Sequence, residues 1–316
     1  MIGQHIKSLS TLDFLVNLMF GTGFDGDAAI AVDTVLARPM FYRNLHISAG
    51  VVRVHNTYPM LYVQDTLTID AGAELRDFFS LPGGNGTNAT SSAHGIGGVG
   101  GGNGGGNGGN GGPVGNRGTT SPDNYMAWPT EQFLVDGHPL GGYGGSGGSE
   151  INAGGVGVVS KIVGYIGTVR HPFFSFQPWY FDQTGKGYGF LQLLGCGGGG
   201  GGGGVTAGGS HSGGGGAGGD PAGPLWVFAR HIILNGKLFA DGGNGGNGGN
   251  GNGANSDGGG GGGGGSGGYI CVVCQTITNP ALVTANGGLG GAFGIGTLNN
   301  GETGFNGEAG IVDLYD

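Results

Sequence analysis

Long glycine runs constrain this chain more than any other feature. Residues 239–252 read FADGGNGGNGGNGN, and the stretches Gly197–Gly204 and Gly258–Gly265 contain nothing but glycine. Ordering a glycine backbone costs more entropy than ordering any other residue, whereas a lateral hydrogen bond returns only about 0.5–1.5 kcal/mol. A single run would therefore stay unfolded, and the sequence predicts that several runs pack side by side.

The asparagines inside these runs indicate a threefold conformation. Asn244, Asn247 and Asn250 are spaced three residues apart, and a polyproline II helix has three residues per turn. The three side chains would then line one edge of an extended glycine helix, where they face water or cap the edge. The other two faces would be bare backbone, which can donate and accept hydrogen bonds to its neighbours.

The overall composition excludes several classes of protein. The chain has 86 glycines among 316 residues, but it is also 37% hydrophobic and only 10% charged, which is the opposite of a disordered linker. The net charge is −9 with only 11 Lys and Arg residues, so nucleic acid is not an expected partner. No segment reaches 18 apolar residues and the N-terminus lacks the pattern of a secretory signal, so we expect synthesis in a cytoplasm and no membrane insertion.

Strand-like units interleave with the glycine runs. FYRNLHISAGVVRVHN at 41–56 and LYVQDTLTIDAGAELRD at 61–77 each read as strand, small turn and strand, about twenty residues apart, which is typical of β-solenoid coils. Similar units occur at 225–246 and 269–291, where they pass directly into glycine. We therefore predict an all-β fold with three parts: an N-terminal attachment segment at 1–21, a β-solenoid-like or β-sheet platform at 22–90, and a sandwich of polyglycine type II helices interleaved with short strands at 91–316.

No constellation of residues predicts chemistry. GGSGG at 144–148 and 264–268 matches a nucleophile elbow only by chance, because the strand and helix that must flank the serine are missing. Asp25, Asp27 and Asp33 lack the loop pattern of a calcium site and are interpreted as turn-forming acids. Cys271 and Cys274 would point to opposite faces of a strand, so we interpret them as small apolar fillers. We expect no catalytic residue, no metal and no cofactor.

Two aromatic insertions interrupt the glycine-rich part at 121–140 and 170–194. Aromatic residues together with prolines are typical of ordered recognition loops, and glycine tracts have no side chains with which to bind a partner. The alternative is that the aromatics plug one end of the fold or bury a subunit interface. The candidate receptor-binding or interface residues are Tyr125, Trp128, Phe133, Phe173, Phe176, Trp179 and Tyr180.

The runs GCGGGGGGGGVTAGG and DGGGGGGGGSGGYICVV, interleaved with strand units that end in ADGGNGG or TANGG, resemble the Gly-rich adhesins at the fibre tips of tailed bacteriophages. The resemblance covers residues 90–316 and implies a polyglycine II sandwich whose loops bind outer-membrane proteins of the host. It does not extend to the N-terminal part, which leaves the mode of attachment open.

The resemblance implies a non-enzymatic virion protein made in the host cytoplasm, either a tail-fibre or tail-tip adhesin or, alternatively, a structural protein such as a head fibre, capsid decoration or tail subunit. The implied partners are other virion proteins of the fibre, baseplate or capsid and a host outer-surface receptor. A homo-oligomer is expected, with a trimer as one form. Ice or surface binding by a flat glycine face is a third, less favoured class, because the aromatic insertions would interrupt such a face.

Overall fold

The computed structural model describes residues 19–55, 60–78, 80–100, 107–111, 147, 180–181, 187–188 and 210–316. Almost all regular structure in these residues is β-strand, with a single short 3-10 turn at Pro280–Leu282. The strands are β1 (Gly26–Ile30), β2 (Thr34–Leu36), β3 (Met40–Ile47), β4 (Val51–Val54), β5 (Met60–Ile69), β6 (Glu74–Asp77), β7 (Tyr180–Phe181), β8 (Gly187–Tyr188), β9 (Pro224–Leu234), β10 (Lys237–Phe239), β11 (Tyr269–Val273), β12 (Thr276–Thr278), β13 (Val283–Thr284) and β14 (Ile311–Tyr315).

Two large parallel sheets contain all of these strands except β7 and β8. Sheet A has seven strands in the order β1-β3-β5-β9-β11-β14, and β12 pairs with the far part of β9. Sheet B has five strands in the order β13-β10-β6-β4-β2. Apart from β11 and β12, which both belong to sheet A, successive strands of the two sheets alternate between them, as β3 and β4 or β5 and β6 do. Gly72 makes the turn between β5 and β6 with a φ of 86°, a conformation that favours glycine.

The predicted fold class is wrong. The structure has two parallel sheets with almost no helix, an α/β-type parallel arrangement, instead of a β-solenoid platform followed by a polyglycine sandwich. Strands from before residue 90 and after residue 223 are neighbours in both sheets: β5 pairs with β9 over Met60↔Trp226 to Ile69↔Leu234, and β6 pairs with β10 at Leu75↔Leu238. The physical reason is that the apolar strands after residue 223 bury their side chains best when they share both sheets and one core with the N-terminal strands.

A single apolar core lies between the two sheets. Strands β4 and β6 show strict alternation of half-buried and buried residues, as expected where one face of a strand is covered. Their inward side chains meet those of sheet A, and the largest of them are less than 2% exposed. Prominent members of this core are Ile47, Leu67, Ile69, Ile232 and Leu234 from sheet A and Val52, Leu75 and Leu238 from sheet B.

Glycine tracts continue both sheets beyond the strands. Tracts 210–223, 257–268 and 301–310 lead into β9, β11 and β14 of sheet A, and tracts 80–90, 240–251 and 285–296 follow β6, β10 and β13 of sheet B. All of residues 212–223 and 257–268 are buried. The two layers touch here without side chains between them, because the Gly246 N–H donates to the Ala217 carbonyl at 2.7 Å and the Gly262 N–H donates to the Gly246 carbonyl at 2.8 Å.

Hydrogen bonds in the tracts repeat every third residue and point in different directions. Gly243, Gly246 and Gly249 donate to tract 210–223, whereas Gly242, Gly245, Gly248 and Gly251 donate to tract 285–296, at distances of 2.7–2.8 Å. No β-carbon fits at many of the inner glycines, since one added to Gly216 would overlap the Gly246 carbonyl and one added to Gly262 would overlap the Ala217 carbonyl. Close approach of backbones therefore explains the glycines at 258, 259, 261, 262, 264 and 265 of the run Gly258–Gly265.

Candidate recognition surface

A row of asparagines borders the outer edge of tracts 80–90 and 240–251, and we call it the asparagine ladder. Its members are Asn85, Asn88, Asn244, Asn247 and Asn250, all exposed. The Asn247 N–H donates to the Asn85 Oδ1 at 2.8 Å, and the Asn247 Oδ1 in turn accepts the Ala292 N–H at 2.9 Å. The ladder thus caps the edge, which was one of the two roles that the spacing left open, and links three tracts through side-chain oxygens.

Other members of the ladder repeat this bonding one turn further along. The Asn250 N–H donates to the Asn88 Oδ1 at 2.7 Å, and the Asn250 Oδ1 accepts the Ile295 N–H at 2.8 Å. Asn244 accepts the Leu289 N–H at 2.8 Å. Because these outer N–H groups face no carbonyl of a neighbouring tract, the carboxamides supply the missing acceptors.

Asp241 extends this row by one position, and sequence reasoning missed it. Its Oδ1 accepts the Asn286 N–H at 2.6 Å, and its Oδ2 accepts a hydrogen bond from the Thr284 hydroxyl at 3.2 Å. The sequence does indicate this role, because Asp241 lies three residues before Asn244 in ADGGNGG and so continues the three-residue spacing. An aspartate and an asparagine share the oxygen acceptor that this place requires.

Apolar side chains project from the same tract surface at three-residue spacing. Leu289 and Ile295 are each 60% exposed, with Ala292 between them, and their own N–H groups are among those that the ladder caps. Ile96 and Val99 form a second outward pair at 64% and 75% exposure. We call these exposed, regularly spaced side chains the outward rows of the tracts. They place apolar groups beside the amides of the ladder on one surface. Rows of this kind suit contact with another protein.

An aromatic stack on the outer face of sheet A is not part of this surface. Tyr62 stacks between Phe41 and Phe228, with ring centroids 5.0 and 4.9 Å apart. Phe228 is buried, and Phe20 packs in the same cluster. Burial raises the pKa of Tyr62 to about 12, so its hydroxyl stays protonated. We interpret the stack as part of the packed structure of sheet A and not as a binding site.

The acids near the N-terminus hold turns and strand ends together. The Arg38 guanidinium and then the Phe41 N–H lower the pKa of Asp25, and the Arg43 guanidinium with Asn44 lowers that of Asp27 to about 2. The Asp33 Oδ1 accepts the Val51 N–H at 2.9 Å. The interpretation as turn-forming acids holds for Asp25, which lies in the turn before β1, but Asp27 lies within β1 and joins it to β3 through Arg43 and Asn44. Within the described ranges no group of three or more His, Cys, Asp or Glu side chains is placed to hold a metal ion.

Both described cysteines are buried free thiols, which confirms their interpretation as apolar fillers. Cys271 packs with Trp226 and Phe228 on the outer side of sheet A, whereas Cys274 belongs to the core between the sheets. Burial raises the pKa of Cys271 to about 12 and that of Cys274 to about 11. Neither thiol is poised as a nucleophile.

The predicted recognition residues stay untested. Tyr125, Trp128, Phe133, Phe173, Phe176 and Trp179 lie outside the described residues. Tyr180 begins β7, whose backbone pairs antiparallel with β8 at Tyr180↔Tyr188. The described structure thus contributes one hairpin of the second insertion and the outward rows of the tracts.

Comparisons with known proteins give no family for this chain: no family model, no curated protein and no solved structure matches it. Among the helices of the described residues, none is long and apolar enough to cross a membrane.

Proposed function

We propose that this chain is a non-enzymatic bacteriophage virion protein, acting as a tail-fibre or tail-tip adhesin that binds a host-surface receptor. One observation carries the proposal: the inner glycine tracts are bonded backbone to backbone, and most of their glycines leave no room for a β-carbon. The inner tracts of this scaffold carry few side chains, and the polar ones among them, Ser212, Asp220, Asp257 and Ser266, are enclosed and offer no surface to a ligand. Whatever it recognises must be contacted by its outward rows and its insertions.

The hydrogen-bonded tracts would form a rigid support for such contacts. Each inner tract is hydrogen-bonded to several neighbours. Tract 240–251, for example, accepts backbone hydrogen bonds from tracts 80–90 and 257–268. Recognition loops work best on a scaffold that holds them in place, because less entropy is lost when the partner binds. This supports a role in which aromatic insertions are displayed from a stiff base.

The β7–β8 hairpin supports the second insertion as the recognition element. Within the insertion 170–194 the structure describes the antiparallel pairing of Tyr180–Phe181 with Gly187–Tyr188. Tyrosine and tryptophan offer large contact areas at a low cost in side-chain entropy. We assign receptor contact to the aromatics of this insertion, above all Trp179.

The second candidate is a structural virion protein, and the exposed apolar rows favour it. Leu289, Ile295, Ile96 and Val99 are all more than half exposed on the tract surface, and such side chains suit permanent contacts with other virion proteins or with further copies of this chain.

Phage particles that carry substituted chains separate the two candidates. Mass spectrometry of purified virions first tests whether the chain is a virion component, and its absence would refute both. We expect the double substitution Trp128→Ala with Trp179→Ala to abolish adsorption to host cells while particles assemble normally. Phe24→Ala is the matched control, because Phe24 is an aromatic that is 86% exposed outside the insertions, and it should leave adsorption unchanged.

Two other results favour different conclusions. Failure of the double variant to assemble would assign the insertions to a subunit interface and favour the structural candidate. Normal assembly together with normal adsorption would show that these insertions do not bind the receptor.

A further inference from the structure

Asparagine followed by glycine is the sequence most prone to spontaneous deamidation, and this chain is rich in it. The glycine nitrogen loses its proton and attacks the asparagine Cγ; a ring C–N bond forms, the bond to the side-chain nitrogen breaks and ammonia leaves. Water then opens the resulting succinimide to aspartate or isoaspartate. In the described part of the chain the pairs begin at Asn85, Asn107, Asn110, Asn235, Asn244, Asn247, Asn250, Asn252, Asn286, Asn300 and Asn306.

Hydrogen bonds hold both reacting groups in the ladder. The Gly248 N–H, which would have to lose its proton, donates to the Ala292 carbonyl at 2.8 Å, while the neighbouring Asn247 Oδ1 accepts the Ala292 N–H at 2.9 Å. Ring closure would break both bonds and turn the carboxamide back towards its own backbone. The same paired restraint applies to Asn244 with Gly245 and to Asn250 with Gly251.

Most of the other pairs share at least the restraint on the glycine nitrogen. Gly86 donates to Asn247, Gly108 to Gly98, Gly111 to Gly95, Gly236 to Ile69, Gly301 to Gly294 and Gly307 to Gly288, at 2.8–3.0 Å. The tract packing that excludes side chains therefore also engages the nucleophile of the deamidation reaction.

Asn252 and Asn286 depart from this pattern. Among the described residues, the N–H groups of Gly253 and Gly287 donate to no acceptor, and the side chains of Asn252 and Asn286 make no hydrogen bond. Both asparagines are exposed. Gly253 also has a φ of 101°, where the chain leaves tract 240–251. Within the described part of the chain, neither reacting group at these two places is therefore held by a hydrogen bond.

We propose that Asn252 and Asn286 are the deamidation sites of the folded chain and that the hydrogen-bonded tracts protect the remaining pairs. Reaction at Asn252 would place an added carboxylate, or an isoaspartate with a longer main chain, at the bridge where its backbone exchanges hydrogen bonds of 2.6 and 2.7 Å with His211. Reaction at Asn286 would alter the residue whose carbonyl accepts the Gly242 N–H at 2.8 Å.

The test compares deamidation rates in the folded and the unfolded chain. Both are incubated in mildly alkaline buffer, one without and one with denaturant, and chymotryptic peptides are analysed by electron-transfer fragmentation, which separates aspartate from isoaspartate. In the folded chain we expect Asn252 and Asn286 to react at least about tenfold faster than Asn244, Asn247 and Asn250, because the ladder pairs must break two hydrogen bonds. In denaturant the five rates should converge.

Asn252→Gln and Asn286→Gln are the controls, since glutamine would need a slower six-membered ring, and each should remove only its own signal. Equal rates at the ladder and at the two proposed sites in the folded chain would overturn the proposal. So would an unreactive Asn252 and Asn286 under conditions in which the unfolded chain deamidates.

Discussion

The strand region and the glycine region hold the same two layers together in different ways. Between the strands, the layers are separated by side chains such as Leu67, Ile232 and Leu75, and sheets packed through side chains lie about 10 Å apart. Beyond the strands, the layers continue as tracts and meet directly, as in the 2.7 Å hydrogen bond from the Gly246 N–H to the Ala217 carbonyl. One chain therefore changes from hydrophobic packing to main-chain bonding within a few residues.

The two regions should be destabilised by opposite kinds of substitution. A core of apolar side chains is weakened when atoms are removed, because a cavity is left and burial is lost. Packed glycine tracts are weakened when atoms are added, because a β-carbon displaces a bonded neighbour. Substitutions that add or remove atoms in each region therefore test the comparison directly.

The largest effect should come from adding a side chain inside the tracts. A β-carbon at Gly261 would overlap the Gly291 carbonyl, and the branched valine side chain cannot turn away from the backbone. We expect Gly261→Val to lower the free energy of unfolding by about 4 kcal/mol or more, measured by denaturant titration. Ala292→Val is the control on an outward row, beside exposed Leu289 and Ile295, and it should change stability little. Equal stability of the two variants would refute tight packing around Gly261.

Removing atoms from the strand core should have the next largest effect. Ile232 is 1% exposed between the sheets, whereas the adjacent Ile233 is 41% exposed on the other face of β9. We expect Ile232→Ala to cost about 2–5 kcal/mol and Ile233→Ala about 1 kcal/mol or less in the same titration. A reversed order would show that the two faces of β9 are misassigned.

The asparagine ladder should show a smaller effect. Asn247→Ala removes the acceptor of the Ala292 N–H, and because this group lies at the surface, water can replace the bond. The expected loss is about 1 kcal/mol. Asn247→Asp keeps an acceptor oxygen, as Asp241 does naturally one turn earlier, so its thermal midpoint should lie closer to that of the unsubstituted chain. An alanine variant as stable as the aspartate variant would contradict a capping role.

The smallest effect should be a dependence on pH that is confined to the glycine region. Burial and then the neighbouring His211 lower the pKa of His94 below its ordinary 6.5, and its Nδ1 accepts the Ser212 N–H at 3.2 Å. Because the unfolded chain binds the proton more readily, stability is full above the ordinary pKa and falls as the pH drops below it. In contrast Asp27 of the strand region, with a pKa of about 2, stays ionised throughout this range.

Thermal unfolding between about pH 7 and pH 5 measures this dependence. We expect the midpoint of the unsubstituted chain to fall on acidification and that of His94→Gln to fall less. Identical slopes for the two chains would assign the acid sensitivity to other groups.

The sequence predicted the local elements better than their arrangement. Alternating apolar residues marked the strands around 41–77, 225–239 and 269–284, and the spacing of Asn244, Asn247 and Asn250 marked a tract edge. What the pattern could not predict is that β9 lies beside β5, because an apolar strand of either region fits equally well against several others. The choice depends on long-range packing of both sheets, and it contradicts the predicted succession of a β-solenoid-like platform and a polyglycine sandwich.

The candidate surface was predicted only in part. The ladder followed from its three-residue spacing, and the exposed row of Leu289, Ala292 and Ile295 has the same spacing in NGGLGGAFGIG, although it was not recognised. An apolar residue among glycines gives no sign of whether it points inward or outward until the neighbours of its tract are known. The domain boundaries and the aromatic insertions remain predictions from the sequence.

The neighbours that each tract acquires also determine the order in which the chain can assemble. Contacts from Asn244, Asn247 and Asn250 to the following tract span 45 residues, whereas those from Asn85 and Asn88 span 162. Closing the longer loop costs more entropy, and non-local pairing slows folding. The part after residue 210 therefore has shorter loops to close and can form before the N-terminal strands join it. During that interval the free edges of β9 and tract 240–251 are exposed to the same edges of other copies, so the yield of folded chain should depend on its concentration.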